Sequence, residues 1–225
     1  MTEEAFFSAL ADYNAEYRWV RAILTLAAIW LLIDLARKAF WAQVGLKLVF
    51  AFTCAAVGAL YFGMFLPGML PANIPEPFRT WSPRLWAVVF LVAAVAGTID
   101  AAQDATHLRL PERGWRLAAV IGSAIVGLGF PAFELLVGNV FPEAQAYGTS
   151  PAPLVLVVVP LLGASRPTRW TGRVWFSLLV LAGVDVGIFA PLVGLPYGHP
   201  IVLIAVLAGV IMMLRPGPTE PHRDG

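Results

Sequence analysis

The sequence predicts an all-α fold, a polytopic transmembrane helical bundle of about seven spans with its N-terminus outside and its C-terminus cytoplasmic. Three observations predict it. Hydrophobic residues make up 59% of the 225 and charged residues 13%, with a mean hydropathy of +0.77. Soluble domains carry about 25% charged residues, and a chain this short still exposes much of its surface, so lipid is the solvent that fits. Seven apolar stretches stand out, near 19–36, 44–66, 85–103, 115–138, 151–165, 174–195 and 199–214. Most approach the ~20 residues a spanning helix needs. The basic residues then divide unevenly between the two sides.

The first eighteen residues, MTEEAFFSALADYNAEYR, form a short acidic segment. They lack the positively charged start of a cleavable signal peptide. Spans one to four follow as long apolar runs. The fifth and seventh are short, and the fifth contains Pro160; each is long enough for a tilted or re-entrant segment.

Charge decides the count. With seven spans, the cytoplasmic side holds Arg37, Lys38, Lys47, Arg109, Arg113, Arg116, Arg166, Arg169, Arg173, Arg215 and Arg223, eleven of the 15 basic residues. Arg18, Arg21, Arg79 and Arg84 lie outside. Deleting the fifth span would reverse the balance to six against nine, so the positive-inside rule favours seven. Seven of the eight Trp (19, 41, 81, 86, 115, 170 and 175) map near span edges, where an amphipathic ring is favoured. All five Tyr map to the outer side, which reads as an outer-facing aromatic surface. The loop 67–84 holds five prolines and is read as non-helical. Residues 215–225 read as a disordered cytoplasmic tail. No composition shift divides residues 19–214, which read as one helical domain.

The run GWRLAAVIGSAIVGLGFPAFELLVGNVFPEAQAYGTSPAP, residues 114–153, carries a family pattern. Phe130-Pro131, Gly138, Phe141-Pro142, Tyr147-Gly148 and Pro151-Ala152-Pro153 stand where that pattern has Tyr-Pro, Gly, Tyr-Pro, Phe-Gly and Pro-Cys-Pro. The Tyr13-Asn14 pair resembles the family's start. The chain thus resembles an uncharacterised family of bacterial multispanning membrane proteins, a domain of unknown function sometimes labelled as permeases. The resemblance implies the architecture and a bacterial cytoplasmic (inner) membrane, and brings no established activity. Ala152 replaces the family's cysteine, and Asn139 and Phe62 stand where histidines are often found. A metal or redox role for those groups is not expected here.

Candidate chemistry rests on ionisable residues inside spans, each costing ~2.5–3.5 kcal/mol on insertion scales. Asp185, in GVDVG, lies near mid-membrane. Gly183 and Gly187 fall on the opposite helix face and would let another helix approach. Asp185 is expected to face a polar cavity, with a partner on the fourth or fifth span. Glu134 follows the Pro131 kink and reads either as an interfacial carboxylate or as an outer gate on the same transport path. Asp100, Asp104 and His107 share one helical stripe at the end of the third span. They read either as a solvated helix end or as a divalent-metal site, which Asp34 is placed to join. His199 and His222 read as solvent-facing. No phosphate-binding glycine loop, G-x-S-x-G or H-E-x-x-H occurs.

Cys54 is the sole cysteine, and no basic tract suggests nucleic acid. No cofactor is expected. The expected partners are the lipid bilayer and either a second copy or another membrane protein. Three functions remain open: a small permease or proton-linked transporter using Asp185 and Glu134; a membrane enzyme acting on a lipid or lipid diphosphate with a divalent metal; and a non-catalytic membrane subunit.

Overall fold

In a computed structural model the described residues are 3–70, 74–136, 145–192 and 199–215. Among them the chain is a helical bundle without strands. Helix α1 runs Glu3–Glu16, α2 Arg18–Ala36, α3 Phe40–Gly68 and α4 Glu76–Ala102. They are followed by α5 Trp115–Leu128, α6 Phe130–Leu136, α7 Pro151–Ser165, α8 Trp170–Leu192 and α9 Val202–Leu214. By length and apolarity α2, α3, α4 and α8 can each cross a membrane. The α5–α6 pair would be a fifth span, but it bends by 80° at Gly129. The expected residues Gly138, Asn139, Phe141, Pro142, Tyr197, His222 and Arg223 lie outside the described residues.

The surface is inside-out relative to a water-soluble protein. Ile23, Leu26, Trp30 and Ile33 form a helical stripe on α2 that is 46–66% exposed. Buried at 0–2% are Lys47, Asp100, Glu134, Gln145, Ser150 and Thr171. Leu and Ile stripes of that size are unfavourable against water and neutral against acyl chains, so this arrangement belongs in a bilayer.

Helix α7 is the centre. Its residues are buried on every side except at Ala164, and it packs on α5, α8 and α9. Pro151 and Pro153 sit in its first turn, where their missing N–H groups have no helical acceptor to lose. Without a hydrophobic drive between helices in lipid, close backbone approach supplies the attraction. A Cβ on Gly163 of α7 would collide with the Gly209 carbonyl of α9. Helix α4 joins the two halves, packing on α3 on one side and α8 on the other, while α2 flanks α3. Helix α1 lies across the C-terminal part of α3, where Phe6 and Tyr13 meet Phe65 with ring centroids 5.6 and 4.8 Å apart.

Several expectations need correction. Residues 76–84 are helical despite their prolines, because Pro77 sits in the first turn of α4 and Pro83 withdraws one hydrogen bond. Trp86 and Trp175 are buried, at 8% and 0%, and belong to the core. Trp175 fills the space over Gly97, where a Cβ would approach its ring to 2.9 Å. Tyr13, Tyr61 and Tyr147 are no outer surface either; all three point inward at 5% exposure or less.

Three of the apolar helices are too short to cross a bilayer as helices alone. At 1.5 Å per residue, α5, α7 and α9 are each roughly 20 Å long, against a ~30 Å hydrocarbon core. They pack on one another, and the described chain leading into α7 is non-helical.

Candidate functional site

That non-helical chain includes residues 145–150, QAYGTS, every one of them buried. Irregular backbone at membrane depth is tolerated where protein encloses it or a cavity adjoins it. Here α1, α2 and α3 enclose it. The Tyr13 hydroxyl donates to the Thr149 carbonyl at 3.0 Å, and the Thr25 hydroxyl to the Tyr147 carbonyl at 3.5 Å. The Tyr147 and Thr53 hydroxyls lie 3.4 Å apart. Gly148 has φ +94°, and a Cβ there would press to 3.3 Å on Arg21 Cα and Leu24 Cβ. That combination of left-handed backbone and close packing calls for glycine.

At the start of this loop stands a buried acid–base cluster. Glu134, on α6 just beyond the 80° bend, is 1% exposed. Its Oε2 accepts the Gln145 backbone N–H at 2.7 Å, and its Oε1 lies 3.0 Å from His199 Nε2. The same imidazole nitrogen lies 2.8 Å from Gln145 Nε2. Phe130 covers the ring edge-on, with centroids 5.0 Å apart and planes at 90°. The His199 backbone N–H donates to the Val186 carbonyl at 2.9 Å, fixing the imidazole to α8 beside Asp185. Gln145 Oε1 and Thr149 Oγ1 are buried with no hydrogen-bond partner among the described residues. Buried polar atoms are nearly always paired, so these two mark places where water or a solute would bond.

Glu134 therefore does not reach water as an interfacial carboxylate would, and His199 is not solvent-facing: its side chain is 13% exposed. The bend at Gly129 turns α6 back toward the bundle and carries Glu134 with it.

Asp185 opens a π-helical segment of α8, Asp185–Phe189. Such segments recur at functional sites. Gly183 and Gly187 face away from it, against Val206 and Leu203 of α9. The Asp185 carboxyl meets the Trp86 indole of α4, on the third apolar stretch, and among the described residues no hydrogen bond reaches it from the expected fourth or fifth. Its Oδ2 is buried and has no hydrogen-bond partner among the described residues. Among those residues no hydrogen bond or ion pair joins Asp185 to Glu134; the link runs through Val186 and the His199 backbone.

The stripe Asp100, Asp104 and His107 sits at the opposite end of the bundle, and it faces a lysine. Lys47 Nζ, fully buried on α3, lies 3.0 Å from Asp104 Oδ1 and 3.5 Å from Asp100 Oδ2. Asp100 also accepts from the Thr106 hydroxyl at 2.8 Å, the Thr106 N–H at 3.2 Å and the Thr171 hydroxyl at 3.3 Å. The bond from Lys47 holds the Asp104 carboxyl below its ordinary pKa. His107 is 75% exposed, with Nδ1 3.8 Å from Asp104. Asp34 stays apart, its Oδ1 3.8 Å from Arg37. Among the described residues no three His, Cys, Asp or Glu side chains converge as metal ligands.

Sequence reasoning missed His199, Gln145 and Lys47. The polar run QAYGTS between two apolar stretches was the available signal, and an outer loop is the simpler reading of it.

The chain belongs to a family of unknown function, DUF6064, whose profile matches residues 3–216. No curated protein and no solved structure matches it.

Proposed function

We propose that this member of the family is a small permease of the bacterial cytoplasmic membrane, crossing it seven times with its N-terminus outside, and that it moves a proton or a proton-coupled solute. One observation carries the reading: the enclosed Glu134–His199–Gln145 cluster at the 80° break between α5 and α6. His199 Nε2 faces an amide nitrogen and a carboxylate oxygen at once. As an acceptor it takes the Gln145 amide proton; as a donor it gives its own to Glu134. Moving one proton between the carboxyl and the imidazole switches the cluster between these two arrangements. Buried ionisable groups of this kind mark proton and solute paths in membrane proteins, and broken helices meeting irregular chain form the sites of many transporters.

The path on this reading passes Asp185, beside the backbone that anchors His199. The eleven-to-four division of basic residues supports the orientation, which puts the cluster in the outer half and Lys47 in the inner half. The enzyme reading has less support, because a divalent ion between Asp100 and Asp104 would have to displace the Lys47 ammonium.

The test is flux in proteoliposomes carrying an imposed pH gradient and a pH-sensitive dye inside. The wild type is expected to dissipate the gradient faster than empty vesicles, alone or on adding a solute. Glu134→Gln, which keeps the shape and removes the exchangeable proton, is expected to abolish that difference. Wild-type flux equal to that of empty vesicles, across a panel of amino acids, sugars and inorganic ions, would sink the proposal.

A further inference from the structure

At the end of the bundle opposite the Glu134 cluster, the guanidinium groups of Arg116 and Arg166 converge, and Arg109 is anchored beside them by its backbone N–H, which donates to Ser165 Oγ at 3.1 Å. Arg116 of α5 and Arg166, just after α7, both donate to one acceptor, the Arg215 carbonyl at the end of α9, at 2.6 and 2.8 Å. Arg166 also donates through Nε to the Met212 carbonyl at 3.3 Å. Burial, and then the charges of Arg116 and Arg109, lower the proton affinity of Arg166. None of the ion pairs among the described residues involves Arg109, Arg116, Arg166 or Arg215.

Helix ends explain part of this. The C-termini of α7 and α9 each present a partial charge of about −0.5, which attracts arginines. Together they offset roughly one of the positive charges, and Arg109, Arg116 and Arg166 alone bring three. Arg166 is also held at φ 53°, a left-handed backbone that a side chain seldom adopts without compensation. On the membrane side of the cluster the surface turns apolar. Leu214 and Ile211 of α9 are 73% and 40% exposed, and Trp115 of α5 is 52% exposed with Arg116 lying 5.7 Å from its ring centroid.

We propose that the ends of α5, α7 and α9 form a binding site for the phosphate of an anionic phospholipid, with its acyl chains along Trp115, Ile211 and Leu214. The cationic groups alone would suit any phosphate; the adjoining apolar strip commits the site to a lipid. Clustered basic groups at a helix boundary recognise anionic headgroups in this way, each contributing about 1 kcal/mol near the surface.

The experiment is lipid binding to the full-length detergent-purified protein, read by native mass spectrometry and by thermal shift. Phosphatidylglycerol is compared with phosphatidylcholine, which has the same phosphate and chains but no net charge. The wild type is expected to retain phosphatidylglycerol preferentially and to melt at a higher temperature with it. Arg109→Gln with Arg116→Gln is expected to weaken that retention by roughly fivefold per charge, leaving phosphatidylcholine unaffected. Arg166 is left intact because its side chain caps the end of α9 through both Met212 and Arg215. Equal retention of the two lipids, or unchanged phosphatidylglycerol binding in the double variant, overturns the proposal. So does an equal thermal shift with inorganic phosphate or glycerol phosphate alone, which would make the cluster a site for a free phosphate. If the double variant does not fold, Arg116→Lys takes its place: it keeps the charge and loses the planar fork, and unchanged phosphatidylglycerol selectivity there is the supporting result, its loss the overturning one.

Discussion

Glu134 Oε1 and His199 Nε2 lie 3.0 Å apart in the interior of a bundle whose outer faces are apolar. The two residues come from different helical segments, α6 and the turn leading into α9, so their contact closes the structure as well as forming the site.

The energy of that contact is measurable as a coupling. A hydrogen bond involving a charged group contributes about 1.5–3 kcal/mol, and truncating one partner leaves the other buried and unpaired. Glu134→Gln, His199→Gln and the double variant form a cycle in which the interaction energy is expected to be about 1–3 kcal/mol. Reversible unfolding in mixed micelles measures it. Additive single effects would show that the two groups do not interact, and the transport reading would lose its central pair.

At the other end of the bundle, Lys47 ties α3 to α4. Lys47→Met is expected to destabilise strongly, by about 3–5 kcal/mol, because it leaves Asp100 buried against three hydrogen-bond donors with no cation. Lys47→Met with Asp100→Leu should recover most of that loss. The pH dependence follows from Asp104, whose folded pKa is depressed below its ordinary 3.8. A depressed carboxylate stabilises the fold above its unfolded pKa, and that contribution disappears as pH falls through the folded value. The melting-temperature gap between wild type and Asp104→Asn is therefore expected to persist down to about pH 4 and to close below it. A gap that widens on acidification would contradict the assignment of the Lys47 bond to Asp104.

Much of the helix layout was legible because apolar stretches are a one-dimensional signal. The stretch 151–165 is α7, and 19–36 differs from α2 by one residue. The face of Asp185 was legible for the same reason: 100° per residue places Gly183 and Gly187 opposite it, and both pack on α9. What was not legible were contacts between distant elements. The Asp100 and Asp104 stripe was read along its own helix, and nothing in α4 announces that Lys47 of α3 fills the space between them. His199 looked solvent-facing because it opens an apolar stretch beside a proline, and only the 80° bend at Gly129 brings Glu134 to it. Trp86 and Trp175 fall near the membrane edges in sequence, yet Asp185 meets the first and Gly97 makes room for the second.

The orientation is open to a direct check. Reporter fusions after Ala39, Leu110 and Thr168 are expected to report the cytoplasm, and a fusion after Ile74 the outside. Thr168 is the informative position, because α7 is only 15 residues long. An external signal there would mean that α7 does not cross, reversing the sides assigned to α8 and α9.

Asp185 separates a structural role from a transport role by the size of a stability change. Its Oδ2 is buried and has no hydrogen-bond partner among the described residues, and an unsatisfied buried polar atom costs about 1–3 kcal/mol. The residue sits next to Val186, whose carbonyl anchors the His199 backbone. On the transport reading, a carboxyl retained at such a cost beside the Glu134 cluster is kept for its proton. Asp185→Leu removes the unsatisfied oxygen and packs an apolar side chain of similar size against Trp86. Because it also leaves the buried Trp86 N–H without its acceptor, the two effects offset, and stability is expected to stay within about 1 kcal/mol of wild type while proton-linked flux is eliminated. Asp185→Asn should match it in flux and stay within about 1 kcal/mol of wild type in stability. Trp86→Phe keeps the ring and deletes the N–H, so it tests the neighbour without touching the acid; flux is expected to persist with a shifted pH profile. If Asp185→Leu unfolds the protein or lowers its melting temperature sharply, the carboxyl is a structural tie between α8 and α4, and the transport path would have to run without it.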